Sequence, residues 1–309
     1  MIFPLNVILE TSSLCNVSCL GCALHGSHAC VTRSFGNMKK NIWDPVIKEI
    51  GSWDQKTTVT AHGGGEPLLN PELKDILCFA KSFDNIEVGF LTNGMLLDEA
   101  WAEFLTDQGI DWIALSIDGV DPDTHDRIRK KSDLIRVENN LQTLLEVKKR
   151  KKAAWPAVKL NMVAYDEIAD QQDRFIDKWI DQVESVMISH YRNPPDSKRW
   201  PHVPKERKPC PLLWSQMVVA WDGRLGLCCE DFNIDFSLGR AGGKTSLVDL
   251  WNDKPFADVR NLHTAGRFDT HPMCRTCDTW AEDLERRTMY DPDRNCHVVT
   301  SPSQKAFYR

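Results

Sequence analysis

The first 190 residues alternate between short apolar segments typical of β-strands and longer segments with a helical pattern of apolar residues. Several strand segments are almost continuously apolar, as in parallel strands that are buried on both faces. Strands are predicted at 6–11, 57–62, 86–92, 112–118, 158–165 and 185–190. Helices are predicted between them at 38–51, 71–83, 98–107, 121–149 and 167–182. This order predicts an α/β fold with a parallel sheet and right-handed crossovers.

Six strand–helix units are too few for a closed eight-stranded barrel, so we expect an open, partial (β/α)6 TIM-like barrel over residues 1–190. Residues 191–209 are rich in Pro and charge and predict a linker. The alternation of strand and helix patterns does not continue beyond residue 209. Residues 210–285 predict a small domain with a β-hairpin (216–221 and 224–229, joined by Asp–Gly) and a helix near 246–262 that Pro255 can interrupt. The polar tail, 286–309, is expected to be poorly ordered.

Composition excludes several classes of protein. The chain has 309 residues and a formal net charge of −6, which argues against nucleic acid as a partner. We find no apolar run of the roughly 18 residues that a membrane span needs. The start of the chain lacks the basic region of a signal peptide, so we expect a soluble, cytoplasmic protein. In that reducing compartment, the 11 cysteines point to metal binding or catalysis and not to disulfides.

Three of these cysteines, Cys15, Cys19 and Cys22, follow the first strand with the spacing C-x3-C-x2-C. A structural zinc site takes four protein ligands, so a trio from one loop would leave it incomplete. An iron–sulfur cube differs, because three thiolates can hold three irons and leave the fourth open to an outside ligand. An open metal position of this kind can support chemistry.

The motif and its place resemble the radical S-adenosylmethionine (radical SAM) superfamily, over about residues 5–190. The resemblance implies a [4Fe–4S] cluster held by the three cysteines, with SAM bound at the open iron through its amino and carboxylate groups. In that family an electron from the cluster cleaves SAM to a 5′-deoxyadenosyl radical, which takes a hydrogen atom from a substrate. An electron donor such as flavodoxin or ferredoxin is implied as a partner.

Three further segments fit the resemblance in the right order. The glycine-rich segment GGGEP resembles the loop that binds the SAM amino group, where glycines allow the backbone to approach the ligand. TNG follows the third strand, where the family places adenosyl contacts. SIDG and HDRIR resemble the segments that hold the SAM ribose and carboxylate, with Arg129 the better match for the carboxylate and Arg127 the alternative. The predicted SAM-binding residues are Gly63, Gly64, Gly65, Glu66, Thr92, Asn93, Ser116, Asp118, Arg127 and Arg129.

A second set of cysteines follows the linker: Cys210, Cys228, Cys274 and Cys277. Their spacing resembles the SPASM and twitch extensions of radical SAM enzymes, which hold auxiliary iron–sulfur clusters. The sequence DTWAED stands where the longer SPASM pattern has more cysteines, so we expect the shorter, one-cluster twitch version with an auxiliary [4Fe–4S] cluster. A zinc site of four thiolates is the alternative.

Cys229 adjoins Cys228, and on a strand adjacent side chains point to opposite faces. Cys229 is then a buried thiol, an alternative cluster ligand, or a catalytic hydrogen-atom donor of the kind a radical epimerase needs. Cys30 and Cys296 have no assigned role at this level. His190 and Tyr191, at the sixth strand's end, are candidate substrate contacts. The substrate site itself is expected near the ends of the fifth and sixth strands and in 191–209.

A single auxiliary cluster suits the two-electron oxidation of an alcohol. The predicted function is therefore a radical SAM dehydrogenase that acts on a sugar or cyclitol, with electron transfer to the auxiliary cluster. Epimerisation of a sugar and maturation of a ribosomal peptide, by epimerisation or cross-linking, are the alternatives. The chain begins at the first barrel strand with no leader-binding domain before it, which favours a small molecule. A non-catalytic iron–sulfur carrier would not need a SAM pocket.

Overall fold

The structure is a computed structural model that describes residues 2–27, 29–191 and 203–309. Residues 192–202 of the predicted linker lie outside the described residues. The chain divides into two compact units. The first unit comprises Met1–Asn16, Ala23–Leu91 and Lys208–Thr276, and the second comprises Val17–Cys22, Thr92–Arg207 and Cys277–Arg309. No helix in the described ranges is long and apolar enough to cross a membrane.

The secondary structure follows the predicted alternation. The strands are β1 Asn6–Leu9, β2 Ser18–Cys19, β3 Thr57–Thr60, β4 Ile86–Thr92, β5 Trp112–Ser116, β6 Arg129–Lys130, β7 Ala157–Ala164, β8 Ser185–His190, β9 Gln216–Val219, β10 Leu225–Gly226, β11 Arg287–Asp291, β12 Cys296–Thr300 and β13 Gln304–Tyr308. The α-helices are α1 Lys40–Gly51, α2 Leu73–Lys81, α3 Glu99–Asp107, α4 Pro122–Ile128, α5 Leu134–Lys151, α6 Gln172–Trp179, α7 Leu212–Ser215, α8 Leu247–Asn252 and α9 Lys254–Thr264.

In the first unit the strand order is β10-β9-β1-β3-β4. The strands β9, β1, β3 and β4 run parallel, and β10 returns antiparallel to β9. The predicted hairpin therefore adds its first strand to the parallel sheet beside β1, with Asn6 opposite Gln216. The strands carry buried Val7, Leu9 and Val59, which explains their apolar sequences.

In the second unit, β5, β7 and β8 run parallel, and β13, β12 and β11 continue the sheet antiparallel. A separate two-stranded ribbon pairs β2 with β6. The predicted disorder of the tail 286–309 is wrong, because this segment forms β11–β13, and β13 pairs with β8. Phe307 and Val298 are buried there, so a few apolar side chains stabilise strands that the polar composition concealed.

Two predicted helices are interrupted at identifiable residues. The segment 121–149 forms α4 and α5, since Asp121 caps the first by accepting from the Thr124 N–H and Asp133 caps the second by accepting from the Arg136 N–H. The segment 246–262 forms α8 and α9. The break falls at Asp253, whose carboxylate accepts from the Lys254 N–H, and Pro255 lies in the first turn of α9.

Candidate functional site

The β2–β6 ribbon of the second unit brings one predicted cluster ligand beside one predicted SAM ligand. Cys19 lies opposite Arg129 in the register of the ribbon. The Arg129 Nη1 contacts the Cys19 Sγ at 3.5 Å. Cys22 is held close to Cys19 by a turn in which its N–H donates to the Cys19 carbonyl at 3.1 Å. Burial raises the pKa of the Cys19 thiol, and the neighbouring guanidinium opposes that shift.

Arg129 is also paired with Asp118, at 2.8 Å between Nε and Oδ2. Both side chains are almost fully buried. This contact is close but misaligned, so neither Arg129 Nε nor Asp118 Oδ2 has a hydrogen bond of good geometry. The second oxygen, Oδ1, accepts from the Val163 N–H at 2.7 Å. Burial raises the pKa of Asp118, and Arg129 lowers it in part. The pair therefore leaves two buried polar atoms without well-aligned hydrogen bonds. This costs free energy unless a bound ligand forms hydrogen bonds with them.

His125 fixes the backbone beside this pair. The Asp118 N–H donates to His125 Nδ1 at 3.2 Å, and His125 Nε2 lies 3.1 Å from the Ser132 hydroxyl. Burial, together with the charge of Arg129, lowers the pKa of His125 to about 3. The imidazole is therefore neutral at physiological pH and acts as an acceptor at Nδ1.

The other predicted SAM residues of the second unit are placed differently. Arg127 is largely exposed and pairs with Glu167 at 3.7 Å. Ser116 is half-buried at the carboxyl end of β5. Thr92 and Asn93 are buried in a turn, in which the Thr92 hydroxyl accepts from the Gly94 N–H and the Asn93 amide oxygen accepts from the Met95 N–H.

In the first unit the glycine-rich segment packs against the chain's own backbone. A Cβ on Gly65 would lie 2.3 Å from the Leu14 carbonyl oxygen, and one on Gly63 would lie 2.6 Å from the Glu10 Cβ. The Glu66 N–H donates to the Leu14 carbonyl at 2.7 Å. Gly65 is thus needed for close approach to residues 12–14, which precede Cys15, and Gly63 for close approach to Glu10. The sequence alone suggests approach to the ligand as the reason for these glycines.

This unit also contains a buried ion pair that the sequence alone did not predict. Arg33 donates from both Nη atoms to the two oxygens of Glu10, at 2.8 and 2.5 Å. Glu10 also accepts from the Gly64 N–H at 3.2 Å and the Trp221 N–H at 3.1 Å. Arg33 Nε donates to the Phe232 carbonyl at 2.6 Å. The one sequence signal was a carboxylate at the carboxyl end of the first strand, where α/β folds place functional groups.

A cavity of about 310 Å³ lies beside this ion pair, within the first unit. Its polar lining comes from alternate positions of the parallel strands and the residues just after them, with period two. The loop after β10 adds two cysteines. Gly63 and Gly64, two of the predicted SAM-binding residues, also line the cavity. The polar lining includes Asn6, Thr60, His62, Gln216, Cys228 and Cys229. The sequence predicts a substrate site near the ends of the fifth and sixth strands and in 191–209, whereas this cavity lies beside β1, β3 and β9.

The prediction that Cys228 and Cys229 point to opposite faces of a strand is wrong. The strand β10 ends at Gly226, so the two cysteines lie in a turn and are not on opposite faces of a strand. Both line the same cavity. Strand geometry therefore does not identify which of the two cysteines binds the auxiliary cluster. The assignment of Cys228 as the cluster ligand and Cys229 as the catalytic hydrogen-atom donor stays a prediction.

Within the first unit, two of the predicted auxiliary ligands share an apolar environment. Cys210 and Cys228 pack against the buried cluster Leu213, Leu227 and Val259. The Cys210 N–H donates to His263 Nδ1 at 3.1 Å. Cys274 is half-buried and follows Met273, which packs against the same apolar cluster.

In the second unit, the Cys277 Sγ accepts from the Thr279 N–H at 3.4 Å. Hydrogen bonds to sulfur and an apolar shell are features that tune iron–sulfur ligation. No group of three or more His, Cys, Asp or Glu side chains in the described residues is arranged to hold a single metal ion. The donors are thiolates in two sets, and that chemistry fits iron–sulfur clusters.

Comparison with known proteins agrees with this chemistry. The family described as "Radical SAM superfamily" matches residues 9–178, which is more than half of the chain. The family described as "Iron-sulfur cluster-binding domain", SPASM, matches residues 210–278. A protein of Methanosarcina mazei named "Probable GTP 3',8-cyclase" is 30% identical over 176 residues, covering 56% of this chain and 48% of that protein. The chain thus spans about half the length of this curated relative.

Solved structures share the fold at low identity. BtrN in complex with AdoMet and 2-DOIA matches with a TM-score of 0.60 and 19% identity, covering 89% of this chain and 93% of that one. Native anSMEcpe with bound AdoMet matches with a TM-score of 0.65 and 17% identity, covering 91% and 90%. Streptococcus suis SuiB bound to S-adenosylmethionine matches with a TM-score of 0.69 and 16% identity, covering 89% and 72%.

These likenesses establish a mixed α/β fold with the parallel-sheet core of radical SAM partial barrels and a C-terminal antiparallel extension. The cofactors that follow from the family matches are a [4Fe–4S] cluster with SAM and auxiliary iron–sulfur of the SPASM kind. A reductant and a substrate are also required. The chain belongs to the radical SAM superfamily.

Proposed function

We propose that this protein is a radical SAM oxidoreductase that oxidises an alcohol group of a sugar or cyclitol and passes an electron to a single auxiliary cluster. One observation carries the proposal. Cys228, a proposed ligand of that cluster, lines the same cavity as the polar, uncharged side chains of Asn6, Thr60 and Gln216. A small molecule bound among these side chains would lie next to the loop that holds the electron acceptor.

Oxidation of a secondary alcohol to a ketone removes one hydrogen atom from carbon, one proton from the hydroxyl group and one electron. When bound, SAM with its cluster supplies the hydrogen-atom acceptor, and the auxiliary cluster supplies the electron acceptor. The remaining tasks fall to the chain's own residues. They must bind the substrate, orient its carbon–hydrogen bond, accept the hydroxyl proton and exclude water.

The second unit supplies the proposed SAM-binding group. Arg129 is buried and cationic, and its Nε has no well-aligned acceptor. A carboxylate would satisfy that donor through a charge-assisted hydrogen bond. Arg127 is largely exposed and already pairs with Glu167, so the burial and the unsatisfied donor favour Arg129 for this role. Cys15, Cys19 and Cys22 are the proposed ligands of the first cluster.

The similar proteins differ in the molecules that they bind. BtrN binds 2-DOIA with AdoMet, and SuiB has been solved bound to the precursor peptide SuiA. Other relatives are named as GTP 3',8-cyclases, and one from Clostridium novyi is named "Cysteine-type anaerobic sulfatase-maturating enzyme". Arg33 is the one cation among the described lining residues, and Glu10 binds both of its Nη atoms, which favours a sugar or cyclitol over a nucleotide. The experiment addresses that preference.

The experiment is anaerobic reconstitution followed by incubation with dithionite, SAM and a panel of sugars and cyclitols. We expect 5′-deoxyadenosine to rise above the uncoupled background with at least one of them, together with a ketone product. Cys19→Ala should abolish SAM cleavage. Iron analysis should give about eight irons per chain, as two [4Fe–4S] clusters require. A value near four would remove the auxiliary cluster, and about twelve would replace the twitch form with full SPASM.

Isotope labelling separates the alternatives. In deuterated water, an epimerase would place one solvent-derived deuterium on a product carbon, whereas oxidation would place none. Turnover only with a precursor peptide would replace the proposed substrate class. No stimulation of 5′-deoxyadenosine by any sugar or cyclitol, in enzyme that still binds SAM, would overturn the dehydrogenase assignment.

A further inference from the structure

We infer that His62 and Gln216 are substrate-binding residues, and that the cavity they line takes an uncharged polyhydroxylated molecule whose hydroxyl groups donate to His62 Nδ1 and Gln216 Oε1. This inference rests on the proposed function and adds two things to it. It names residues that bind the substrate through hydrogen bonds, and it excludes phosphorylated forms of the same molecules as substrates.

The first support is a pair of unsatisfied acceptors. In the described residues, His62 Nδ1 and Gln216 Oε1 are buried and have no hydrogen-bond partner. Both residues line the cavity of the first unit. An unsatisfied buried acceptor costs about 1–3 kcal/mol, so two in one cavity need an explanation. A ligand with two hydroxyl donors supplies one.

The neutral form of the His62 ring has one acceptor nitrogen. Nδ1 is the ring nitrogen that is buried without a hydrogen-bond partner in the described residues, and it is assigned as that acceptor. Burial lowers the pKa of His62 to about 4, so the ring remains neutral and Nδ1 remains an acceptor at physiological pH.

The second support is the charge of the cavity. Among the described lining residues, Arg33 is the one cation, and Glu10 already binds both of its Nη atoms. Asp231 also lines the cavity and accepts from the N–H groups of Asp235 and Phe236, at 2.9 and 3.1 Å. A phosphate would therefore find a carboxylate and no available cation. Polar neutral donors and acceptors remain, and these suit hydroxyl groups.

The third support is the volume of the cavity and the arrangement of the polar side chains that line it. A volume of about 310 Å³ lies at the lower end for small-molecule sites. On the neighbouring strands the Thr60 hydroxyl donates to the Asn6 amide oxygen at 3.0 Å. Polar side chains from β1, β3 and β9 thus converge on one cavity, with two acceptors unsatisfied. Convergent polar groups in a small cavity are what fix the orientation of a ligand.

The test measures binding by equilibrium dialysis, using anaerobically reconstituted enzyme with SAM present. The probes are radiolabelled myo-inositol and glucose, each beside its phosphate ester. We expect at least one neutral polyol to bind more tightly than its ester. His62→Leu and Gln216→Met should each weaken that binding about tenfold, as loss of one hydrogen bond to a buried group predicts. His62→Asn, whose oxygen can replace Nδ1, should stay within about threefold.

The matched control is Trp53→Phe. Trp53 Nε1 is also buried without a partner, but Trp53 does not line the cavity, so polyol binding should be unchanged within about twofold. Thermal unfolding of each variant verifies that it is folded. The inference is overturned if no neutral polyol binds, if an ester binds at least as tightly, or if folded His62→Leu and Gln216→Met both bind like the wild type.

SAM cleavage measured on the same samples separates the two proposals. Cleavage of SAM with no polyol bound would sink only the assignment of the cavity. Polyol binding that responds to His62 and Gln216, with no cleavage of SAM under dithionite, would leave the cavity assignment and sink the proposed function.

Discussion

The two units each contain a buried arginine–carboxylate pair, and the pairs differ in how fully they are satisfied. In the first unit, Arg33 binds both oxygens of Glu10, and backbone groups of the glycine-rich segment and the hairpin complete the arrangement. In the second unit, Arg129 contacts one oxygen of Asp118 at 2.8 Å but with poor alignment. The Glu10–Arg33 pair makes its hydrogen bonds within the protein. In the Asp118–Arg129 pair, Arg129 Nε and Asp118 Oδ2 lack a well-aligned hydrogen bond.

This difference separates a structural role from a binding role. A buried ion pair is stable only if its remaining donors and acceptors are satisfied. The Glu10–Arg33 pair meets that condition without a ligand, and it ties β1, the Gly64 loop and the Trp221 turn together. The Asp118–Arg129 pair does not meet it, and Arg129 also contacts a predicted cluster ligand, Cys19. We therefore read the first pair as a clamp and the second as a ligand-binding group.

The largest expected effect is on stability. Arg33→Met should lower the free energy of unfolding by about 3–5 kcal/mol, because it strands Glu10 as a buried, unpaired carboxylate. Arg129→Met should cost only about 1–3 kcal/mol. Burial already raises the pKa of Asp118, so this carboxyl can take up a proton when its partner is lost. Anaerobic urea unfolding of the two variants measures both values.

Arg127→Met controls for the loss of a surface arginine and should change stability by about 0.5 kcal/mol or less, since Arg127 is largely exposed. If Arg129→Met destabilises the protein as much as Arg33→Met does, the distinction between clamp and ligand-binding group fails.

The next effect is on SAM affinity. Arg129→Met should weaken SAM binding about tenfold to a hundredfold, the value of one charge-assisted hydrogen bond of about 1.5–3 kcal/mol. Arg127→Met should change it less than about twofold, because its exposed pair with Glu167 is worth little. Equilibrium dialysis with labelled SAM on reconstituted enzyme gives both constants. A larger loss in Arg127→Met would reverse the assignment of the carboxylate-binding arginine.

The sequence was sufficient for features that depend on local pattern. The strands β4 and β8 begin and end where their apolar runs predict, at 86–92 and 185–190. The hairpin at β9 and β10 follows from its Asp–Gly turn. The cysteine spacing, C-x3-C-x2-C, together with the segments GGGEP, TNG and SIDG in the right order, was enough to predict the family.

Features that depend on distant residues were not predictable in the same way. The pairing of β9 with β1 joins segments about 210 residues apart, and no local pattern encodes it. Arg33 is 23 residues from Glu10 and lies in a loop without periodicity. The cavity was missed for the same reason, since its acceptors on His62 and Gln216 come from separate strands and are recognisable only by their missing partners.

A smaller effect tests the packing of the glycine-rich segment. Gly65→Ala should destabilise the protein by about 1–3 kcal/mol, because the new Cβ would lie 2.3 Å from the Leu14 carbonyl and the backbone must move. Gly243→Ala is the matched control, with its nearest neighbour at 3.7 Å, and should be nearly neutral. Urea unfolding measures both. Equal stability of the two variants would mean that the clamp region tolerates displacement of residues 12–14.

The smallest effect is a pH dependence of stability that belongs to the first unit. Burial lowers the pKa of His62 from 6.5 to about 4, so the unfolded chain binds a proton more readily than the native one. The stability from neutral His62 is complete above about pH 6.5 and falls as the pH drops toward 4. Between pH 7.5 and 5.5, wild-type enzyme should lose about 1 kcal/mol on this account, and His62→Asn should lose about that much less. Unfolding midpoints at the two pH values measure the difference. An identical pH dependence in the variant would show that His62 binds its proton equally well in both states, which would also remove the argument that its ring is held neutral beside the cavity.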